Sequence, residues 1–175
     1  MTTPKDWRGR FLEDFEVGDV YRSRLGRTIS ETDNTWFTLL TNNTNQVHFN
    51  ADFAQRTRFG RCLVNSCLTL SIVVGLTVSD TSENAVANLA WNDIALPNPV
   101  FVGDTLYAES EVLSTRPSAS RPNVGIVGVR TRGVNQGGTI VVEYRRSFMV
   151  YTREAPEVAG VFPAPDGAWT VGAQA

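Results

Sequence analysis

One histidine, His48, lies in a segment (residues 41–50) whose polar positions hold amides where many proteins carry carboxylates. It is the only histidine in a chain of 175 residues. Because imidazole titrates closer to neutral pH than other side chains, His48 is the evident candidate for moving a proton. The alternative is a surface or hydrogen-bonded core histidine that takes no part in chemistry. Two asparagines of the segment, Asn43 and Asn45, are the other candidates for a site here.

The chain offers little from which to build a metal site. It has one histidine, no Cys-x-x-Cys motif and no local cluster of acidic residues, whereas transition metals need several such ligands close together. Cys62 and Cys67 are five positions apart in the sequence, a spacing that fits neither a metal pair nor a redox motif. We expect no metal, and we predict that both cysteines are small core residues.

Length and composition describe one ordinary globular domain. Hydrophobic residues make up 42% of the chain, charged residues 19%, and the net charge is −2. These values argue against disorder and against a nucleic-acid partner. The N-terminus is polar, and the longest apolar stretch is far shorter than the ~20 residues that span a bilayer. The sequence therefore predicts a cytoplasmic protein that does not enter the membrane.

A short helix and the loop after it must position the candidate residues. Ser30 and Asp33 have the spacing of a capping pair at the start of a helix. The apolar residues of this helix are Trp36, Phe37, Leu39 and Leu40. We expect the helix to end near residues 41–43, which leaves His48 in a loop where side chains can face a cleft. Asn50 can cap a second short helix.

An apolar run over residues 63–79 predicts a buried central helix, because it is hydrophobic nearly all round. Its β-branched content keeps a strand as the alternative, although a strand of that length is unusual. Four stretches of β-type composition follow, at residues 85–96, 105–115, 125–135 and 139–152. Gln136-Gly137-Gly138 is a hairpin signal, and short turns between strands imply an antiparallel sheet. The expected class is α+β, with one long helix on a face of the sheet.

Four motifs, in this order along the chain, resemble those of the MaoC-like hydratase/dehydratase family. They are Asn43-x-Asn45-x-x-His48, Phe49-Asn50-Ala51-Asp52 with Ala54, Val64-Asn65-Ser66, and Pro-Val-Phe-Val-Gly-Asp-Thr-Leu at residues 99–106. The resemblance covers residues 11–153 and implies a single hot-dog fold, an antiparallel sheet wrapped around a long central helix. We expect this domain at residues 1–154 and an irregular tail, rich in Pro, Gly and Ala, at residues 155–175. Trp91 is expected to be buried on the strand that covers the helix.

The resemblance also implies roles for the candidate residues. The family's loop usually reads Gly-Asp-x-Asn-Pro-x-His, and Asn43 stands here at the position of the Asp. A neutral amide can orient water but cannot accept its proton. His48 is then the evident proton-transfer group, with Asn43 and Asn45 to position water. The family's central helix starts with His-Gly, whose glycine N–H holds the thioester oxygen, and Asn65-Ser66 stands there. The Ser66 N–H can keep that role, while Asn65 either adds a donor or caps the helix.

These substitutions are most similar to the branch of the family that acts on branched C4 to C5 dicarboxylic thioesters, such as mesaconyl-CoA, itaconyl-CoA and β-methylmalyl-CoA. A substrate carboxylate beside an enzyme carboxylate would create like-charge repulsion in a low-dielectric pocket, and Asn43 removes it. Arg56, Arg58 and Arg61 come just after the loop that contains Asn43, and Arg130 and Arg132 share one face of a predicted strand. All five are candidates for binding the substrate's anionic groups, with Arg58 and Arg61 taken as the first choices. Arg61 is favoured because it is near the start of the central helix in the sequence.

The leading hypothesis is an acyl-CoA hydratase/dehydratase that needs no cofactor, because CoA is part of its substrate. A hot-dog thioesterase and a non-catalytic acyl-CoA binding protein are the alternatives, since a fold does not determine a function. The resemblance also implies a homodimer or a larger homo-oligomer. Hot-dog subunits leave a sheet edge exposed, and pairing with a second copy covers it.

Overall fold

The helices and strands occur in the order that the sequence patterns predict. The computed structural model describes residues 8–160, 163 and 165–167. The helices are α1 (Glu31–Leu40), α2 (Ala51–Gln55) and α3 (Ser66–Leu76). The strands are β1 (Val20–Arg22), β2 (Arg27–Thr28), β3 (Ala85–Ala95), β4 (Thr105–Pro117), β5 (Val124–Asn135) and β6 (Ile140–Tyr151). All described strand pairs are antiparallel, in the order β1-β4-β5-β6-β3 with β2 beside β4. The α+β class and the antiparallel sheet are confirmed.

Helix α3 packs against one face of the sheet. Leu68 and Val73 of the helix are buried in one cluster with Leu106 of β4 and Val142 of β6. The backbone of β5 comes close to the helix at Gly133, where an added Cβ would lie 2.5 Å from Cγ2 of Val73. A residue without a side chain at this position therefore permits the close approach of helix and sheet.

Helix α3 begins later and is more exposed than the apolar run predicts, and a π-helix at Val78–Ser82 follows it. It begins at Ser66 because the side-chain oxygen of Asn65 accepts the N–H of Cys67 at 2.9 Å. Just before it, Leu63 forms a β-bridge with Phe101 and so belongs to extended chain. The exposed residues of α3 are Ser66, Cys67, Ser71 and Gly75. The prediction of a helix buried nearly all round is therefore wrong for the single chain, in which α3 buries one side.

Two predictions about buried residues are also wrong. Trp91 is 39% exposed, because β3 is at the edge of the sheet and, among the described residues, pairs with β6 alone. Cys67 is exposed on the outer side of α3, and Cys62 is half-buried. Both cysteine thiols are free.

The C-terminal end of the domain follows β6. Ala155 is buried at 1% exposure, and a 3₁₀ turn at Pro156–Val158 comes next. Residues 161, 162, 164 and 168–175 of the expected tail lie outside the described residues, so the domain boundary at residue 154 stays a prediction. No helix in the described part of the chain is long and apolar enough to cross a membrane.

Candidate active site

The segment that carries His48 follows α1 and includes a 3₁₀ turn, in which His48 is the last residue. The predicted capping pair starts α1: Ser30 Oγ accepts the N–H of Asp33 at 3.1 Å, and an Asp33 carboxylate oxygen accepts the N–H of Ser30 at 2.8 Å. The 3₁₀ turn spans Gln46–His48 and buries Val47. The capping box therefore fixes the start of α1, and the 3₁₀ turn holds the backbone of His48.

The side-chain oxygens of Asn43 and Asn45 shape the loop. Asn43 Oδ1 accepts the N–H of Asn45 at 3.0 Å, and Asn45 Oδ1 accepts the N–H of Val47 at 3.3 Å. Each asparagine thus satisfies a backbone donor two residues ahead, as Asx turns do. Neither asparagine is among the residues that line the two clefts beside His48, so the orientation of water by their side-chain NH₂ groups stays a prediction.

The ring of His48 is half-buried and oriented by one main-chain contact. Nδ1 lies 3.0 Å from the carbonyl oxygen of Leu63. Because a carbonyl oxygen only accepts hydrogen bonds, the hydrogen of the neutral ring is assigned to Nδ1. Nε2 is then the basic nitrogen, which is the arrangement that a proton acceptor needs.

His48 and the start of α3 line the same cleft, whose volume is about 240 Å³. Ser66, Thr69 and Arg58 also line it. As the first residue of α3, Ser66 has an N–H without an acceptor inside the helix, and the helix dipole favours negative charge there. No carboxylate of the described residues lines this cleft. The cleft therefore brings together a basic nitrogen, a free N–H and one cation.

Asn65 is the cap of α3. Its side chain is 3% exposed, and its oxygen accepts the N–H of Cys67. Of the two roles that the sequence left open, helix capping is therefore observed, whereas donation to a substrate oxygen stays a prediction.

The two candidate arginines lie on different sides of His48. Arg58 lines the cleft with Ser66, and its guanidinium is 4.8 Å from the ring centre of Phe59. Arg61 lines a second cleft of about 170 Å³ and is 3.9 Å from the ring centre of Phe101. His48 borders both clefts. Nearness in sequence favoured Arg61, but Arg58 is the one that shares a cleft with the start of α3.

The second cleft also contains Cys62 and Glu31. Burial, together with the negative charge of Glu31, raises the pKa of the Cys62 thiol. A thiol with a raised pKa stays protonated at neutral pH and is a poor nucleophile. Among the described residues, no three His, Cys, Asp or Glu side chains could together hold a metal ion.

Sequence reasoning missed Asn34, on the buried side of α1. Its side chain is 1% exposed. Its NH₂ group donates to the carbonyl oxygens of His48 and Leu63 at 2.8 and 2.9 Å, and its oxygen accepts the N–H of Asn65 at 2.8 Å. A polar amide on the inner face of a short helix was the available signal, because buried polar groups need partners.

Solved structures place this fold in the class of MaoC-like hot-dog proteins. A MaoC domain protein from Chloroflexus aurantiacus superposes with a TM-score of 0.81 at 34% identity, over 95% of this chain and 46% of the other. A conserved hypothetical protein from Mycobacterium tuberculosis with a double hotdog fold shares the fold at a TM-score of 0.77 and 20% identity, over 92% of this chain and 53% of the other. The predicted hot-dog fold is confirmed.

Residues 3–168 match the model of the mesaconyl-CoA hydratase family, and the chain belongs to that family. Mesaconyl-CoA hydratase from Cereibacter sphaeroides is 35% identical over 167 residues, which cover 90% of this chain and 48% of that protein. The chain thus spans about half the length of the curated relatives it matches.

Proposed function

We propose that this chain catalyses the reversible addition of water to the double bond of a short, branched dicarboxylic enoyl-CoA, such as mesaconyl-CoA or itaconyl-CoA. The observation that carries the proposal is the content of the larger His48 cleft. An imidazole, a helix N-terminus and an arginine line a space to which the described residues contribute no carboxylate. Such a cleft suits a substrate that is itself anionic, and the family model supports the same reaction.

His48 carries the proton in this mechanism. Nε2 takes a proton from water while the water oxygen bonds to the β-carbon of the enoyl group. In mesaconyl-CoA, whose double bond is conjugated with the thioester, the electron pair of the double bond moves toward the thioester oxygen and an enolate forms. The imidazolium then gives its proton to the α-carbon, so one water molecule has been added and the ring is neutral again. Asn43 and Asn45 orient the water through their NH₂ groups, and dehydration follows the same path in reverse.

The start of α3 stabilises the enolate oxygen. The N–H of Ser66 donates to this oxygen, and the positive end of the helix dipole adds to the stabilisation. Removal of one such donor in enzymes typically costs about 10²–10³ in kcat. Asn65 supports this role by capping the helix at the adjacent position.

Arg58 is our assignment for the second carboxylate of the substrate. It lines the cleft that also contains Ser66 and His48, and the carboxylate of mesaconyl-CoA is bonded to the carbon that takes up the hydroxyl group. The guanidinium group can bind a carboxylate with two parallel hydrogen bonds. Arg61, across His48 in the second cleft, is the alternative.

A second copy of the chain is the partner that we propose. The edge strand β3 exposes Leu89, Trp91 and Ile94 at 48%, 39% and 45%, and an open strand edge favours pairing with another strand. The match covers 48% of the length of the relative from Cereibacter sphaeroides, so that protein is long enough for a second unit of this size. In our proposal, a second copy of this chain takes the place of that second unit. The cytoplasm stays the predicted location, and no cofactor enters the proposed reaction.

The deciding experiment incubates the purified chain with mesaconyl-CoA while enoyl absorbance and free thiol are recorded together. A hydratase removes the enoyl absorbance without releasing thiol, whereas a thioesterase releases free CoA. A protein that only binds acyl-CoA gives neither signal, and that result would contradict the proposal. The His48→Ala variant is expected to lose hydration by at least about a hundredfold, because general acid–base catalysis typically contributes 10²–10⁴-fold.

A further inference from the structure

Asn34 links three segments that meet at the candidate site. From α1 it reaches the carbonyl oxygen of His48, 14 positions away in the sequence, and that of Leu63, 29 positions away. Its oxygen accepts the N–H of Asn65, 31 positions away, at the start of α3. Both donor hydrogens and the oxygen of the Asn34 amide are therefore hydrogen-bonded, and the residue is 1% exposed.

The carbonyl oxygen of Leu63 is shared between Asn34 and the catalytic ring. It accepts one hydrogen of the Asn34 amide at 2.9 Å and faces Nδ1 of His48 at 3.0 Å. A carbonyl oxygen has two lone pairs, so both bonds fit at once. The same amide holds the carbonyl oxygen of His48. Asn34 therefore fixes the acceptor that the ring meets and the backbone that carries the ring.

We infer that Asn34 is a positioning residue that keeps the neutral His48 ring in the Nδ1–H form, with Nε2 as the basic nitrogen. Its bond to the N–H of Asn65 joins this ring position to the start of α3, where Ser66 lies. The inference deepens the proposed function and rests on it for the statement that Nε2 moves the proton. The statement about the ring hydrogen does not depend on any activity.

The single histidine makes the ring hydrogen directly measurable. With ¹⁵N-labelled histidine and no histidine tag, the NMR spectrum contains one pair of ring nitrogens, those of His48. At a pH where the ring is neutral, the wild type is expected to show a protonated Nδ1 and an unprotonated Nε2. An Nε2–H form in the wild type would overturn the inference without any variant.

Two variants of Asn34 test its part in holding that form. Asn34→Ala removes all three bonds, whereas Asn34→Asp retains the acceptor for the Asn65 N–H and removes both donors. In a variant that stays folded by circular dichroism, we expect both ring forms to be populated. We also expect kcat with mesaconyl-CoA to fall about tenfold or more, with KM changed less than about twofold, as for an interaction used in the transition state.

Thr38→Val is the matched control. Thr38 is fully buried on α1, one helical turn after Asn34, and its hydroxyl has no hydrogen-bond partner among the described residues. The control should keep the Nδ1–H form and the wild-type kcat. A folded Asn34 variant with the wild-type ring form would overturn the inference and leave the proposed function standing. An Nδ1–H ring in a wild type that hydrates no enoyl-CoA would instead overturn the proposed function.

Discussion

At the scale of single residues, the candidate site separates the proposed proton-transfer group from the groups that hold its loop. His48 presents Nε2 because Nδ1 is bound to the Leu63 carbonyl oxygen. The side-chain oxygen of Asn43 accepts the N–H of Asn45. A carboxylate at the same position could accept the same hydrogen bond. The geometry of the loop therefore does not explain why an amide stands there, and our explanation is the charge of the proposed substrate.

The Asn43→Asp variant tests that explanation. The bond to the Asn45 N–H is retained, so the main change is a negative charge in the loop that carries His48. Two like charges about 5 Å apart repel by about 3 kcal/mol at an effective dielectric constant of 20. We expect the variant to lose kcat/KM with both substrates. The fold-loss with mesaconyl-CoA should be about ten times or more the fold-loss with crotonyl-CoA, which lacks the second carboxylate. Equal losses with the two substrates in steady-state kinetics would contradict the charge explanation.

Arg58 offers the complementary measurement. Arg58→Gln removes the cation from the cleft that contains Ser66. We expect a loss of about ten- to a hundredfold in kcat/KM for mesaconyl-CoA and a smaller loss for crotonyl-CoA, because charged hydrogen bonds contribute about 1.5–3 kcal/mol. Arg56→Gln is the control, since Arg56 pairs with Asp52 on the exposed face of α2. If Arg61→Gln alone gives the selective loss, the second carboxylate belongs to the other cleft.

At the scale of elements, α1 is the part that aligns the site. Helix α1 carries Asn34 in its first turn, one position after Asp33. The three hydrogen bonds of Asn34 can form only when this first turn is folded. The N–H of Ser30, then the Ser30 hydroxyl and Arg27, hold the pKa of the Asp33 carboxyl below its usual value of 3.8. The charged carboxylate therefore stabilises the folded chain.

This pKa shift gives a pH-dependent prediction for Asp33→Asn. A carboxyl whose pKa is lower in the folded state stabilises the fold above the unfolded pKa, and that contribution is lost as the pH falls through the folded pKa. At pH 7 the variant should lose about 0.3–1 kcal/mol of unfolding free energy, the usual range for a charge at a helix N-terminus. Urea unfolding at a series of pH values should show the difference shrinking below pH 3.8.

Asp52→Asn is the control for that series. Asp52 is also in the first turn of a helix and pairs with Arg56, but the side chain of Asp52 is 79% exposed. Exposed ion pairs contribute little to stability. If Asp52→Asn lowers the free energy of unfolding as much as Asp33→Asn does, the capping box is not the cause of the loss in Asp33→Asn.

At the scale of the whole molecule, the sheet has a charged face and an open edge at β3, opposite the edge formed by β1. On the outer face, Glu109 binds Arg22 and Arg132, and Glu111 binds Arg130. The edge strand β3 has exposed apolar side chains instead. Charged faces resist association, whereas apolar strand edges favour it. The distribution supports β3 as the place where a second copy binds.

Leu89→Lys tests this edge. Leu89 is 48% exposed on β3, and a lysine there would place a charge in an apolar contact between two copies. Sedimentation velocity is expected to show a dimer for the wild type and the 19.3 kDa monomer for the variant. Leu113→Lys, at a leucine of β4 that is 37% exposed, should stay dimeric. A wild-type monomer, or a dimer that withstands Leu89→Lys, would argue against β3 as the interface.

Much of the local structure could be predicted because its causes lie within a few residues of one another. Ser30 caps α1 through a residue three positions away, and Asn50 likewise caps α2 through Phe53. The turn between β5 and β6 is the predicted one at Gln136-Gly137-Gly138. The predicted strands agree with the observed ones within a few residues, since alternating burial depends on neighbouring side chains.

The sequence by itself thus determined the order of the predicted elements and the fold class, and it made His48 the candidate for proton transfer. Only the tertiary structure decided that Asn34 holds His48, that Arg58 rather than Arg61 shares a cleft with Ser66, and that Trp91 is exposed. The physical reason is distance along the chain. The partners of Asn34 are 14 to 31 positions away, and the exposure of Trp91 depends on which strand is at the sheet edge. Contacts of this kind are fixed only when separate segments pack together.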